Sequence, residues 1–371
     1  MFRMNTMWPL YGDFSDLFKY ISLLLSLLVG VLCIKRYEGP HLLLIIAIGL
    51  IVFVVGMNSE NVFQMYLTYL IIIGAKDIPF RDVVKAHFFL ALCFCVFNMT
   101  ISELGWVRKS VTIFIDERDG LLGDVVMRKD FGYGWSTDYA NHVFFILLDY
   151  WLLRKGKLRV YEYFLFVLIA IFIIINCDAR LAAGSILCIL LLAFYLRINE
   201  KKKKELNKII RFLFVYSIPF WAVVSLYATI NYDSSDLSWA ASDLILSGRL
   251  RLGYDAIQDV GIPWLGQLFK MYGGGNAGMG DTEYNFLDCA YIQSLVIWGW
   301  VLTSIWIYTY VVIAKKANRD HNYTLLAAIF ILSMFGVISP YLFNLKYCVL
   351  LLAITAIDGN SIEEAMEPIK E

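Results

Sequence analysis

The chain has 371 residues, 60% of them hydrophobic and 17% charged, with a formal net charge of zero. Soluble domains are roughly half apolar and about a quarter charged, so this composition excludes an ordinary soluble domain. The charge balance also excludes a bulk electrostatic pull toward nucleic acid.

Repeated apolar blocks predict an all-α polytopic integral membrane protein, one membrane domain over residues 1–371 with about 11 transmembrane helices. In chain order the spans fall near 17–34, 41–57, 61–75, 86–101, 138–153, 161–176, 181–197, 212–230, 289–313, 323–339 and 345–358. About 20 apolar residues are needed to cross ~30 Å of hydrocarbon, so the third and the last are the shortest candidates. The first block has neither a basic n-region nor an A-x-A site and reads as a retained span.

The connectors separate by charge. Lys35, Arg36, Lys76, Arg81, Lys85, "RKGKLR" (154–159), "RINEKKKKELNKIIR" (197–211), "KKANRD" (315–320) and Lys370 hold most of the basic residues. The positive-inside rule makes those connectors cytoplasmic, with the N-terminus outside and the C-terminus inside. "EKKKKE" reads as a solvated topogenic run. Two long outer loops remain, 102–137 and 231–288. Loops of that length are usually functional or disordered. Their mixture of aromatics, glycines, acids and arginines predicts short amphipathic helices folded over the outer mouth. No internal repeat is visible along the chain, which disfavours an inverted-repeat transporter.

Few ionisable groups fall inside the spans. Asp149 and His87 lie toward cytoplasmic ends and read as structural anchors rather than a midplane ion path. The rest gather outside. "MRKDFGYGWSTDYANH" (127–142) carries Arg128, Asp130, Asp138 and His142, and "NCDARLAAGS" (176–185) carries Asp178 and Arg180. The last outer turn, "SPYLFNLKY" (339–347), carries Lys346.

"SGRLRLGYDAIQDVG" (247–261) reads as a short helix with Ser247 as N-cap and Gly261 as its stop. Leu250, Tyr254 and Ile257 share one face. An arginine in a first helical turn opposes the dipole unless an anion sits there. Arg249 with the free N–H groups would then form a phosphate or pyrophosphate site. The plainer alternative, an arginine at the surface or against lipid headgroups, fits Arg251 better. Arg180 allows either a local salt bridge with Asp178 or a second anion contact.

Asp288 stands just before an apolar span, where partial desolvation would raise its pKa and suit it to take a proton from a hydroxyl. A plain helix cap is the alternative. His142 is the second candidate base. The glycines at 273–275 lack the spacing of a P-loop and read as a hinge. The sequence has no HExxH, DxD or Cys/His cluster for a metal and no GxSxG. Cys177 and Cys289 lie near span ends and are expected to stay unbridged.

Four stretches resemble one family. "RKDFGYGWSTDYAN" is similar to its Arg…Phe-Gly-Tyr/Phe…Asn approach to a span, and "DARLAAGSILCILLL" to its Ser/Asp-x-Arg turn. "LSGRLRLGYDAI" is similar to its Ser/Thr-Gly-Arg helix start, and "FLDCAYIQSLVIWGW" to its Asp/His-Asn-x-Tyr…Gly span start. In order and sidedness, over about 120–310, the chain resembles the Wzy-type O-antigen and capsule repeat-unit polymerases, and more distantly the O-antigen ligases. Cys289 stands where the family usually has Asn. The ligases carry histidine where Asp288 aligns, which favours a polymerase.

The resemblance implies a GT-C-like fold in the bacterial cytoplasmic (inner) membrane. It implies a metal- and cofactor-independent glycosyltransferase. Its partners would be undecaprenyl-pyrophosphate-linked oligosaccharides, the lipid bilayer and a chain-length regulator, with no nucleic acid. The growing glycan would pass from lipid pyrophosphate to a hydroxyl of the next lipid-linked unit. Arg249, Arg180 and Arg128, supported by Arg251 and Lys346, would hold the pyrophosphate. Asp288 or His142 would be the base. Trp135, Tyr139, Tyr254 and Tyr272 would stack on sugars, unless they belong to an interfacial aromatic belt. A ligase-like transferase, a flippase or exporter of lipid-linked sugars, and a purely structural membrane protein are the alternatives.

Overall fold

Pro40 sits at the first turn of helix α1 (Pro40–Asn58), where its missing N–H costs nothing. In this computed structural model, residues 36–106, 111–116, 124–202, 205–273 and 284–357 are described, with scattered positions between 21 and 30. The first expected span, the centre of the glycine run and Lys370 therefore lie largely or wholly outside the described residues. Helix α1 buries Gly49, Val52, Val55 and Gly56 along one stripe. Its other faces present Leu43 and Leu50, 69% and 62% exposed. In water such a surface would cost ~25 cal/mol per Å²; in lipid it costs nothing. The same logic governs α2 (Val62–Gly74) and α3 (Phe80–Glu103).

The chain continues through α4 (Ser136–Leu153), α5 (Val160–Cys177), α6 (Arg180–Lys201), α7 (Lys208–Val215) and α8 (Ser217–Ile230). Among the described residues, five helices are long and apolar enough to cross a membrane, or six if the pair α7–α8, bent by 58°, counts as one. Most of α4 is buried in protein rather than lipid-facing.

The first long loop, 102–137, departs from expectation. Its described residues include two paired antiparallel strands, β1 (Val111–Asp116) and β2 (Asp124–Lys129), where the sequence predicts short amphipathic helices. β-branched residues in both strands favour that choice. The second loop does contain short helices, α9 (Leu237–Ile245) and α10 (Arg249–Val260).

Helix α11 (Ala290–Arg319) breaks at Gly299, where φ is 80° and ψ 178°. The loop after α10 repairs the break. The amides of Trp300 and Val301 donate to the carbonyls of Pro263 (3.0 Å) and Trp264 (3.2 Å). The Gln267 amide donates to the carbonyl of Ile297 at 3.0 Å, and its side chain to that of Val296 at 3.0 Å. Unpaired backbone groups are intolerable at membrane depth, so the loop and the kink specify each other.

The last expected span, 345–358, is not an α-helix. After the buried α12 (Tyr323–Phe335), the chain runs back through two 3₁₀ turns, Pro340–Phe343 and Leu350–Ile354. Irregular backbone is allowed this deep only inside protein. Leu342, Phe343 and Tyr347 through Ala353 are accordingly buried. Side chains supply its missing partners: Tyr310 Oη donates to Leu342 O at 2.7 Å and Thr355 Oγ1 to Ile72 O at 2.5 Å.

The basic connectors meet at one end of the bundle. Phe80 N donates to Ile357 O (2.8 Å), Arg197 to Leu158 O (2.8 Å) and Lys316 to Ala356 O (3.2 Å).

Candidate functional site

The site begins with the turn between α9 and α10. Ser247 and Gly248 take left-handed conformations, φ 56° and 80°, and swing the chain from one helix into the next. Gly248, not Ser247, is the N-cap of α10. The anion at the helix start is the protein's own. The buried Asp243 carboxylate accepts from the amides of Leu250 (2.9 Å) and Arg251 (3.1 Å). The expected free N–H cradle is thus filled by Asp243, which offsets the positive helix end.

Arg249 is held on three sides. Its Nη2 lies 2.9 Å from Asp288 Oδ2, Nη1 donates to Leu246 O at 2.8 Å, and Nε donates to Ile338 O at 3.1 Å. The guanidinium therefore ties together the end of α9, the approach to α11 and the turn after α12. These contacts use three of the five N–H donors of an arginine.

Asp288 is not the cap of α11, a position Cys289 holds. Its carboxyl faces Arg249 and remains partly accessible, 24% exposed. Burial pushes the carboxyl up from the usual range, Arg249 pulls it back, and the nearby charge of Asp138 adds to the rise.

Asp138 extends the group inward. It accepts from the hydroxyls of Tyr341 and Tyr347 and lies in the field of Lys346. Lys346 Nζ sits 4.9 Å from the Tyr347 ring centre. His142, one turn further along α4, has Nδ1 3.1 Å from the Asp138 carbonyl and its ring 4.2 Å from that of Tyr347. Of the expected residues, Asp288 and Lys346 lie in the field of Asp138, Arg249 joins through Asp288, and His142 packs beside Tyr347. Lys346 approaches from within the bundle: its carbonyl lies 3.2 Å from His87 Nε2. It stands in a turn, 345–347, whose backbone reaches His87. His87 Nδ1 is 2.5 Å from Asp149 Oδ2 in a buried pair.

The other arginines assemble elsewhere. Arg128 Nη2 lies 2.5 Å from Asp178 Oδ2, and Arg180 Nε 3.4 Å from Asp178 Oδ1. Two expected anion ligands thus share a carboxylate at the junction of β2, α5 and α6, with the Arg180 side chain 61% exposed. Arg251 lies 3.8 Å from Asp255 on the exposed side of α10.

The aromatic candidates divide. Tyr139 is buried, its ring 4.5 Å from that of Phe131, and serves the core rather than a sugar surface. Tyr254 is half-buried and pairs with Tyr232 at 5.9 Å. Tyr272 closes its loop, its amide donating to Asn285 Oδ1 at 2.6 Å. Trp135 is the half-buried N-cap residue of α4. Cys177 and Cys289 are free and buried.

Sequence reasoning missed the roles of Asp138, Asp243, Tyr341 and Tyr347. Asp243 carried a weak signal, an acid just before a Ser-Gly helix start. Tyr341 and Tyr347 carried none beyond their neighbour Lys346. Among the described residues no group of three His, Cys, Asp or Glu is placed to hold a metal.

Comparison with protein-family models, with curated proteins and with solved structures found no match. Fold and composition define the class: a predominantly helical protein with several helices apolar enough for a membrane.

Proposed function

We propose that this chain is a lipid-linked glycan transferase of the repeat-unit polymerase type. Its substrates would be undecaprenyl-pyrophosphate-linked oligosaccharides at the outer leaflet of a bacterial cytoplasmic membrane. The observation that carries the reading is the 2.9 Å pairing of Arg249 with Asp288. It couples an anion-binding group to a desolvated carboxyl.

In the apo state Asp288 occupies Arg249. An arriving pyrophosphate, with more charge and more oxygens, displaces the carboxylate from the guanidinium. The freed Asp288 accepts the proton of the attacking hydroxyl. The hydroxyl oxygen bonds to the anomeric carbon while the carbon–oxygen bond to pyrophosphate breaks. The departing lipid pyrophosphate keeps the electron pair and stays on Arg249. Asp138, with Tyr341, Tyr347 and Lys346, borders the same space and would position the acceptor.

Deleting the gene and separating lipid-linked glycans by size tests this reading. Single repeat units on the outer leaflet are expected. Unchanged long chains would sink it.

One observation favours a second reading, an exporter or flippase of lipid-linked sugars. The His87–Asp149 pair and the Lys346 carbonyl lie inside the bundle, inward from Asp138. Ionisable groups inside a membrane mark transport paths by default. In that case deletion traps single repeats on the cytoplasmic side.

A further inference from the structure

A second polar region lies at the end of the bundle where the basic connectors meet. The ends of α3, α4, α6 and α12 border a half-open cavity of about 370 Å³. Four cations line it, Arg81, Lys155, Lys157 and Arg197, against two carboxylates, Glu200 and Asp320. Both acids are already engaged: Glu200 lies 2.5 Å from Lys157 and Asp320 2.9 Å from Arg319. Over the lining, four cations against two carboxylates leave a formal surplus of two positive charges.

The wall is also built rather than loose. Lys155 and Gly156 form a left-handed turn, φ 49° and 79°, after α4. A Cβ on Gly156 would meet Thr324 Oγ1 at 2.6 Å, so the turn is pressed onto the start of α12. Arg197 Nη1 donates to Leu158 O at 2.8 Å, which fixes its stem and leaves other donors of its fork. Apolar side chains, Leu152, Leu153 and Leu196, stand beside these cations.

We infer that this cavity binds the phosphodiester headgroup of an anionic lipid. A cluster of cations fixed between helix ends next to apolar side chains suits an amphiphilic anion. The inference is independent of the transferase reading, because it uses the opposite set of connectors.

The test uses the full chain purified in detergent and titrated with phosphatidylglycerol, phosphatidylcholine or inorganic phosphate. Lipid binding is followed by native mass spectrometry and thermal midpoint. Phosphatidylglycerol is expected to bind and raise the midpoint where the other two do not. Reversing two cations, Arg81→Glu with Lys155→Glu, should weaken phosphatidylglycerol binding about thirtyfold or more. Reversing Lys201→Glu with Lys202→Glu, exposed at the same end but outside the cavity, should leave binding within about threefold. Equal binding of phosphatidylcholine, or equal loss in the Lys201/Lys202 variant, would overturn the site. A full effect of inorganic phosphate alone would overturn the lipid assignment. If the double reversal does not fold, Arg81→Gln supplies the same comparison by mass spectrometry, with retained binding counting against the site.

Discussion

Arg249 Nη2 and Asp288 Oδ2 lie 2.9 Å apart, although 39 positions separate the two residues along the chain. The pair joins α10 to the approach to α11, and the carbonyl of Ile338 brings in the turn after α12. Arg249→Ala removes all three ties and leaves Asp288 without its cation. A loss of about 1.5–3 kcal/mol in stability is expected, with glycan ladders abolished. Lys at the same position should restore stability partly and chain length poorly, because a point charge cannot make three divergent contacts. Thermal unfolding and glycan electrophoresis on the same preparations separate the two effects. Full ladders in Arg249→Ala would remove it from the anion site.

Asp288 gives a pH dependence with a definite sign. Burial raises its carboxyl, so the base form appears only as pH climbs past the raised value. Transfer should therefore rise with pH above the ordinary carboxylate range. Stability linked to this group runs the other way. The folded state holds the proton more tightly than the unfolded chain, so stability falls as pH rises from the ordinary carboxylate pKa to the raised one. Asp288→Asn should slow transfer and flatten both profiles. A variant with an unchanged pH–rate curve would show that the base is another group, with His142 the next to test.

Asp243 separates helix capping from ligand binding. Its carboxylate holds the amides of Leu250 and Arg251. Asp243→Ala should cost about 1 kcal/mol and lower transfer by loosening Arg249. Asp243→Asn keeps an acceptor oxygen and should recover most of the stability. If Asp243→Ala instead bound pyrophosphate more tightly, the helix start would be an anion site that Asp243 normally blocks.

Among the described glycines, an added Cβ comes closest to its neighbours at Gly299. A Cβ there would meet Pro263 O at 2.5 Å and the Trp264 carbonyl at 2.8 Å, and φ is 80°. Gly299→Ala should destabilise by about 1–3 kcal/mol from backbone strain, and more if the loop detaches. Detergent-solubilised thermal unfolding measures it. Limited proteolysis near Pro263 should be faster in the variant. Unchanged cleavage would mean that the loop does not depend on the kink.

The buried His87–Asp149 pair bears on the choice between transfer and transport. Removing one partner leaves the other uncompensated, so His87→Ala should cost about 3–5 kcal/mol. If the pair only anchors the returning segment through the Lys346 carbonyl, a His87→Phe/Asp149→Leu double variant that folds should keep polymerising. Trapping of single repeats inside the cell by that folded variant would favour the exporter.

The sequence alone determined the helical class and the apolar faces, because hydrophobic length and periodicity are local properties. It also marked Arg249, Asp288, His142 and Lys346 as charges in unusual places, since each interrupts or borders an apolar run. It predicted a helix at 345–358 and missed the hairpin in the first loop, because composition alone does not report which backbone partners are at hand. Those partners are Tyr310, Thr355 and the neighbouring strand. Only the tertiary structure decided that Asp243 fills the start of α10, that Arg128 and Arg180 share Asp178, and that Asp138 gathers Tyr341, Tyr347 and Lys346. Arg128 lies 50 positions from Asp178 and Tyr341 lies 203 from Asp138, so these partners meet only when the helices pack. A buried charge takes whichever partner packing brings within hydrogen-bond reach, and no local pattern encodes that choice.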